Sequence, residues 1–169
     1  MKHFLILVFL FVTSLVLSQN AVVLAVHDGD SYKVRFDSTN EIVWVRLYGI
    51  DCPEVVSNHI TNSQPYGRET GDFVRNLIKG KPVQVDSLGE DVYGRMVAKV
   101  TFNGTDLTQF LLTYGYGWYL QNSKLSSEEI SKLKSLQEFA KNTKQGLWAL
   151  PGRKLRPSTW RSRHWRYGI

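Results

Sequence analysis

Apolar and polar residues alternate over three short stretches near the start of the chain. Ala21–His27 (Ala-Val-Val-Leu-Ala-Val-His) predicts a strand. Asp28-Gly29-Asp30 is a turn signal, and Ser31–Phe36 alternates as a second strand. Ser38-Thr39-Asn40 is another turn, and Glu41–Tyr48 alternates again. That third stretch is expected to face Ile42 and Trp44, with Leu47 near its end, towards a core. The segment 52–65 is polar, holds Pro53 and Pro65, and reads as a loop. Helical spacing then appears over Tyr66–Lys79, at Phe73, Leu77 and Ile78, with Gly80 at its C-terminal end. Pro82–Asp86 and Met96–Phe102 are strand-like, and Asn103-Gly104 marks a tight turn. Asp106–Tyr114 predicts a short helix ending at Gly115, and Ser126–Lys144 a longer one ending before Gly146. Ser126 and Glu129 have capping-box spacing, and Ile130, Leu133, Leu136 and Phe139–Ala140 form an apolar stripe. The order β-β-β-α-β-β-α-α predicts an α+β fold with a mainly β core: a five-stranded OB-fold barrel closed off by about three helices.

The N-terminus breaks this pattern. Met1-Lys2-His3 precedes an apolar run from Phe4 to Leu17, interrupted only by Thr13 and Ser14. A bilayer span needs ~20 such residues. The run, with a basic start and small residues near Ser18, therefore predicts a secretory signal peptide over residues 1–18, cleaved before Gln19. The other readings are an uncleaved anchor or a buried strand or helix. The expected organisation is signal peptide 1–18, one domain over 19–150 and a basic, aromatic tail over 151–169. The mature chain is expected to be exported, secreted or periplasmic, with no membrane span left after processing.

Composition sharpens this in two ways. The single cysteine excludes a disulfide framework and multi-cysteine metal sites. The net charge of +6 points to an anionic partner. All of that excess sits in Arg153, Lys154, Arg156, Arg161, Arg163 and Arg166, so the body of the chain is neutral by count. The tail interleaves these with Trp160, Trp165 and Tyr167. It could contact nucleic acid, pack on the barrel or touch anionic lipid.

Three segments carry candidate chemistry: Asp28-Gly29-Asp30-Ser31, the run Arg46-Leu47-Tyr48-Gly49-Ile50-Asp51-Cys52-Pro53-Glu54, and Asp91-Val92-Tyr93-Gly94-Arg95. Asp30 begins a strand and Asp51 follows the end of another. If those ends are neighbours, two carboxylates converge as oxygen ligands for a hard cation. Arg46 and Arg95 also lie near strand ends, and two guanidinium groups suit the oxygens of a phosphate. Glu54 is a candidate base for a water. Taken singly, an Asp-Gly-Asp turn is commonly a solvated turn and an Arg–carboxylate pair a surface contact. The three together, in this order on an OB-like strand pattern, carry the weight.

On these segments, with Gln64-Pro65-Tyr66-Gly67 and Gln145-Gly146-Leu147-Trp148, the chain resembles the staphylococcal-nuclease-like (thermonuclease) family over about residues 21–150. The resemblance implies a Ca²⁺-dependent phosphodiesterase acting on DNA and RNA with little sequence preference. Single-stranded or locally open regions would be favoured, with 3′-phosphate ends as products. It implies one Ca²⁺ held by Asp30, Asp51 and the backbone carbonyl of Cys52, with Asp28 behind them holding the metal's waters. It implies Arg46 and Arg95 on the scissile phosphate, Glu54 on the attacking water, Tyr93 beside the substrate, and Tyr116 or Tyr119 against a base or phosphate. Trp118 is expected in the core. Ser31 and Cys52 stand where threonine is common in the family, and the loop Val55–Gln64 carries His59 instead of a lysine-rich stretch. The Cys52 thiol is either oxidisable or able to bind soft metals, or else a small buried group; His27 is expected to be structural or exposed, and His59 to be just a loop residue. A monomer is the default. The runner-up function is a noncatalytic OB-fold module binding nucleic acid or protein, and a third is a lipid-binding envelope protein with the barrel as scaffold.

Overall fold

The computed structural model describes residues 18–121 and 125–166. The expected signal peptide therefore lies outside the described residues except for Ser18. In chain order the elements are β1 (Gln19–Val26), β2 (Ser31–Phe36), β3 (Ile42–Leu47), β4 (Ile50–Asp51), α1 (Gly67–Ile78), β5 (Pro82–Glu90) and β6 (Met96–Phe102). There follow β7 (Thr105–Asp106), α2 (Leu107–Thr113), β8 (Trp118–Tyr119), α3 (Ser127–Asn142), a 3₁₀ turn (Gly146–Ala149) and α4 (Pro157–His164).

Strands β3, β2, β1, β5 and β6 pair in that order, each antiparallel to its neighbour. The sheet closes through a parallel pairing of β3 with β6, with Arg46 opposite Val97. This is the expected five-stranded α+β barrel, OB-like, with four helices among the described residues. Val23, Val34, Val45, Leu47, Val85 and Val100 fill its interior. The Asn103-Gly104 turn joins β6 to β7 with both residues at positive φ, the conformation a tight hairpin turn demands.

The strand phase differs from expectation in β3. Ile42 and Trp44 are 50% and 41% exposed, and the residues that turn inward are Val43, Val45 and Leu47. Both faces of this strand are apolar, so a period of two does not reveal which one is buried. Phe139 is likewise exposed, although it extends the apolar stripe of α3. Leu133 and Ala140 carry the buried side of that helix.

Ser126 caps α3 as its spacing predicts. Its hydroxyl accepts from the Glu129 amide at 3.2 Å, and Glu129 Oε2 accepts from the Ser126 amide at 3.0 Å. Lys99 of β6 also pairs with Glu129, and that hydrogen bond and the Ser126 bonds lower its carboxyl to about 2. A depressed carboxylate stabilises the fold above its unfolded value of 4.5, and the contribution disappears as pH falls through about 2. Glu129→Ala is therefore expected to cost about 1 kcal/mol at neutral pH, the ordinary worth of a cap. In urea unfolding across pH, the gap from wild type should close near pH 2.

The ending Gln145-Gly146-Leu147-Trp148 has a packing reason. Gly115 and Gly146 both have positive φ, and a Cβ on Gly146 would stand 2.5 Å from the Gly115 carbonyl oxygen. Leu147 donates its amide to that same carbonyl at 2.9 Å. The two glycines let the end of α2 and the chain after α3 touch backbone to backbone.

Candidate active site

The turn between β1 and β2 places the first carboxylates. Asp28 Oδ1 accepts from the Asp30 amide at 3.1 Å, and both residues are buried. Asp30 in turn accepts from the Cys52 amide at 2.6 Å and from the Ser31 hydroxyl at 3.2 Å. The pairing of β4 with β8 sets Asp51 opposite Trp118. The strand ends do converge. Arg46, on β3 beside both, places Nη1 on Asp30 and Nη2 on Asp51 at 2.8 Å. One guanidinium therefore spans the two carboxylates, and its side chain is only 14% exposed.

Glu54 is held from behind by Gln64. The Gln64 amide donates to the Glu54 carbonyl at 2.8 Å, and the Glu54 amide donates to Gln64 Oε1 at 3.3 Å. Gln64 Nε2 donates to the Leu155 carbonyl at 2.7 Å, so this buried amide ties the Glu54 loop to the tail. Gly67 lets α1 approach closely, because a Cβ there would collide with the Glu54 carbonyl. These contacts explain why Gln64-Pro65-Tyr66-Gly67 belongs with the site. Gln64→Ala removes the two side-chain hydrogen bonds, keeps the backbone one, and is expected to cost about 1–3 kcal/mol in urea unfolding. It should also lower the turnover rate without changing the charge of the site.

Arg95 is set by its own turn. Asp91 Oδ1 accepts from the Tyr93 and Arg95 amides at 2.9 and 3.0 Å, and Oδ2 accepts from Arg95 Nε at 2.8 Å. Burial raises the Asp91 carboxyl, but the hydrogen bonds from Arg95 outweigh it and the net shift is downward. Arg95 Nη1 reaches the Ser31 hydroxyl at 3.4 Å, and its guanidinium lies 5.6 Å from the exposed Tyr93 ring.

Arg46, Arg95, Glu54, Asp28 and Tyr93 all line one open cavity of about 560 Å³. Asp30 and Asp51 stand directly behind its wall through Arg46. Burial raises the carboxyls of Asp28 and Glu54 above the ordinary range. For Asp28 burial outweighs Arg46, and for Glu54 it outweighs Arg161.

Two expected substrate residues lie elsewhere. Tyr116 stacks on Phe73 at 4.4 Å and on Tyr66 at 6.0 Å, between α1 and α2. Tyr119 is buried on β8, with Lys134 over its ring at 5.6 Å. Neither lines the cavity, because the segment after α2 turns its rings into the helix layer. Trp118 is core, edge-on to Trp148. The Cys52 thiol is buried, and burial, then the nearby Asp28 charge, push it well above its ordinary value. It is thus a small packed group held neutral. His27 is partly exposed and edge-on to Trp44.

The tail is seated against residues 60–62 of the barrel's loop. It folds as α4, whose residue Arg161 reaches Asp51 and Glu54. Trp165 stacks on His59 at 5.2 Å, and both line the cavity, so His59 has a defined seat. Arg161 could be read beforehand only as one of six basic tail residues.

The donor chemistry fits a hard cation. Asp30 and Asp51 offer carboxylate oxygens close enough for one guanidinium to bridge, and the Cys52 carbonyl follows Asp51 in the chain. Among the described residues no three His, Cys, Asp or Glu side chains form a ready-made cage, so water would complete the shell. No helix among the described residues is long and apolar enough to cross a membrane.

Comparisons with known proteins agree with this geometry. A family model described as staphylococcal nuclease homologue matches residues 44–150. A protein of Escherichia coli O157:H7 named an uncharacterized endonuclease is 32% identical over 142 residues, covering 83% of this chain and 84% of its own. A probable endonuclease of Komagataella phaffii is 35% identical over 119 residues, covering 66% of this chain and 51% of its own. A staphylococcal-like nuclease of Arabidopsis thaliana is 30% identical over 105 residues, covering 62% of this chain and 29% of its own. These matches favour a nuclease over a noncatalytic binding module. With a closed barrel that gathers paired carboxylates and arginines at one cavity, the chain belongs to the staphylococcal nuclease homologues and is a nuclease.

Proposed function

We propose that this nuclease is an exported, Ca²⁺-dependent enzyme that hydrolyses phosphodiester bonds of DNA and RNA with little sequence preference, leaving 3′-phosphate ends. The observation that carries the reading is the convergence of Glu54, Arg46 and Arg95 on one cavity, backed by Asp30 and Asp51. Asp30, Asp51 and the Cys52 carbonyl would hold the cation, with Asp28 bracing the Asp30 turn. When bound there, Ca²⁺ supplies Lewis-acid stabilisation of phosphate charge and a template for the strand.

The rest falls to the chain's own residues. Arg95, fixed by Asp91, presents a guanidinium to the phosphate oxygens, whose charge grows in the transition state. Arg46 holds the two metal carboxylates in register and offers its remaining donors to the same phosphate. Glu54 orients the attacking water and takes its proton. A cavity that grips phosphates and has an exposed tyrosine at its mouth suits single strands or locally opened duplex, because stacking is tolerant of sequence. A monomer is the proposed acting unit.

Export is supported by the apolar run ahead of Ser18 and by β1 beginning at Gln19, so cleavage there would leave every described element whole. N-terminal sequencing of the protein recovered outside the cytoplasm should read from Gln19. The chemistry is tested by digesting denatured DNA and RNA in Ca²⁺ and in EGTA. End-labelling of the fragments should find 3′-phosphates, produced only with the cation. Fragments with 3′-hydroxyl ends, or equal cutting in EGTA, would overturn the proposal.

A further inference from the structure

Arg161 reaches the site from the tail. Its Nη1 and Nη2 meet the two oxygens of Asp51 at 3.1 and 3.2 Å, and Nη1 also meets Glu54 Oε1. The side chain remains 33% exposed and lines the cavity with Arg46 and Arg95. Burial lowers its pKa, but Asp51 and Glu54 outweigh that and the net shift is upward. The helix that carries it is firmly seated. Trp160 Nε1 donates to the Asn62 carbonyl at 2.9 Å, and the Thr61 amide donates to the His164 carbonyl at 3.1 Å. The Arg166 amide donates to the His59 carbonyl at 2.9 Å, and Ile60 forms a β-bridge with Trp165. The guanidinium is thus delivered by a braced element.

Formal charge shows what a third arginine does here. Asp28, Asp30, Asp51, Glu54 and Asp91 meet Arg46, Arg95 and Arg161, an excess of two negative charges. One divalent cation on Asp30 and Asp51 would cancel that excess. Without Arg161 the loaded site would stay anionic and repel a phosphodiester. Asp51 is also shared, since Arg46 Nη2 and Arg161 Nη1 both donate to its Oδ1. Once Asp30 and Asp51 ligate a cation, Arg161 still has Glu54, which is no ligand of that cation. Guanidinium carries five N–H donors, and those of Arg161 freed from Asp51 need another acceptor.

We propose that Arg161 is a third substrate-binding arginine, which stays seated on Glu54 and donates to a phosphate of the bound strand once a divalent cation holds Asp51. This rests on the nuclease reading. The test is fluorescence anisotropy with a labelled, all-phosphorothioate single-stranded oligothymidylate, in Ca²⁺, over a series of salt concentrations. Each phosphate contact on a single strand contributes about 0.7 to the slope of log affinity against log salt. Arg161→Gln should flatten the slope by about 0.7 and weaken low-salt binding about tenfold, the worth of a charge-assisted bond. Arg161→Lys should keep the slope and recover part of the affinity, because it retains the charge without the fork. Arg163→Gln removes the same charge from an exposed position on α4 and should match wild type.

Wild-type slope and affinity in Arg161→Gln would overturn the proposal. So would tighter strand binding together with tighter Ca²⁺ binding by calorimetry, which would make Arg161 a plug on the metal carboxylates. An equal loss in Arg163→Gln would reduce the effect to bulk charge. If Arg161→Gln does not fold, as judged by circular dichroism, full wild-type affinity in Arg161→Lys overturns the idea instead. Wild type that neither binds nor cuts the strand would strike at the nuclease reading itself, a different failure from any of these.

Discussion

Glu54→Gln is expected to lower the single-turnover rate on denatured DNA by about 10²–10⁴-fold, the usual worth of a positioned general base. The substitution is nearly isosteric. The Gln64 clamp acts on the Glu54 backbone and should survive. The amide oxygen can still accept from Arg161, so that side chain need not leave. What is lost is a group able to take a proton from water. Thermal unfolding followed alongside should shift by only a few degrees, which would separate lost chemistry from lost fold. A rate within threefold of wild type would mean that Glu54 merely fills space beside Arg161.

Arg46→Gln should have the largest combined effect. The guanidinium is the shared partner of Asp30 and Asp51, whose side chains are 2% and 5% exposed. Removing one member of a buried ion cluster leaves charges without their partner and costs about 3–5 kcal/mol. Asp51 would retain Arg161, so the lower end of that range is expected. Cutting should fall as well, by about 10²–10³-fold, as for loss of one transition-state donor. The two effects can be separated with Ca²⁺. If a cation is held by the same carboxylates, it should restore much of the lost stability in urea unfolding while the rate stays low. A loss below about 1 kcal/mol in metal-free buffer would show that Arg46 does not brace these carboxylates.

The part of the site carried by local turns was legible beforehand, because Asp28-Gly29-Asp30 and Asp91–Arg95 are short and carry their own hydrogen bonds. Arg46, Asp51 and Glu54 were legible through their order in a single run. The phase of β3 was not, since Ile42 and Trp44 compete with Val43, Val45 and Leu47 for the core. A signal was there. Trp44 lies two residues from Arg46 on a strand, so a cavity-facing Arg46 turns Trp44 outward with it. The place of Tyr116 and Tyr119 off this cavity was not legible, because aromatic rings beside a nucleotide site and rings in a helix layer have the same composition. The order of the tail was illegible for a different reason. α4 has no continuous apolar face, and it and the residues just after it depend on contacts with residues 59–62, about a hundred positions away in the chain. Such contacts leave no periodic trace.

The proposed cutting of nucleic acid takes place in this one cavity. The most direct test is degradation of single-stranded DNA by the purified chain in Ca²⁺ and in EGTA, beside Arg95→Gln. Arg95 is the cleanest choice because it is anchored by Asp91 and touches neither Asp30 nor Asp51. Rapid cutting by the wild type is expected, which EGTA abolishes and which Arg95→Gln lowers by about a hundredfold or more with the fold intact. A folded wild type that cuts in no divalent metal, or a folded Arg95→Gln that cuts as fast as wild type, would contradict the proposal.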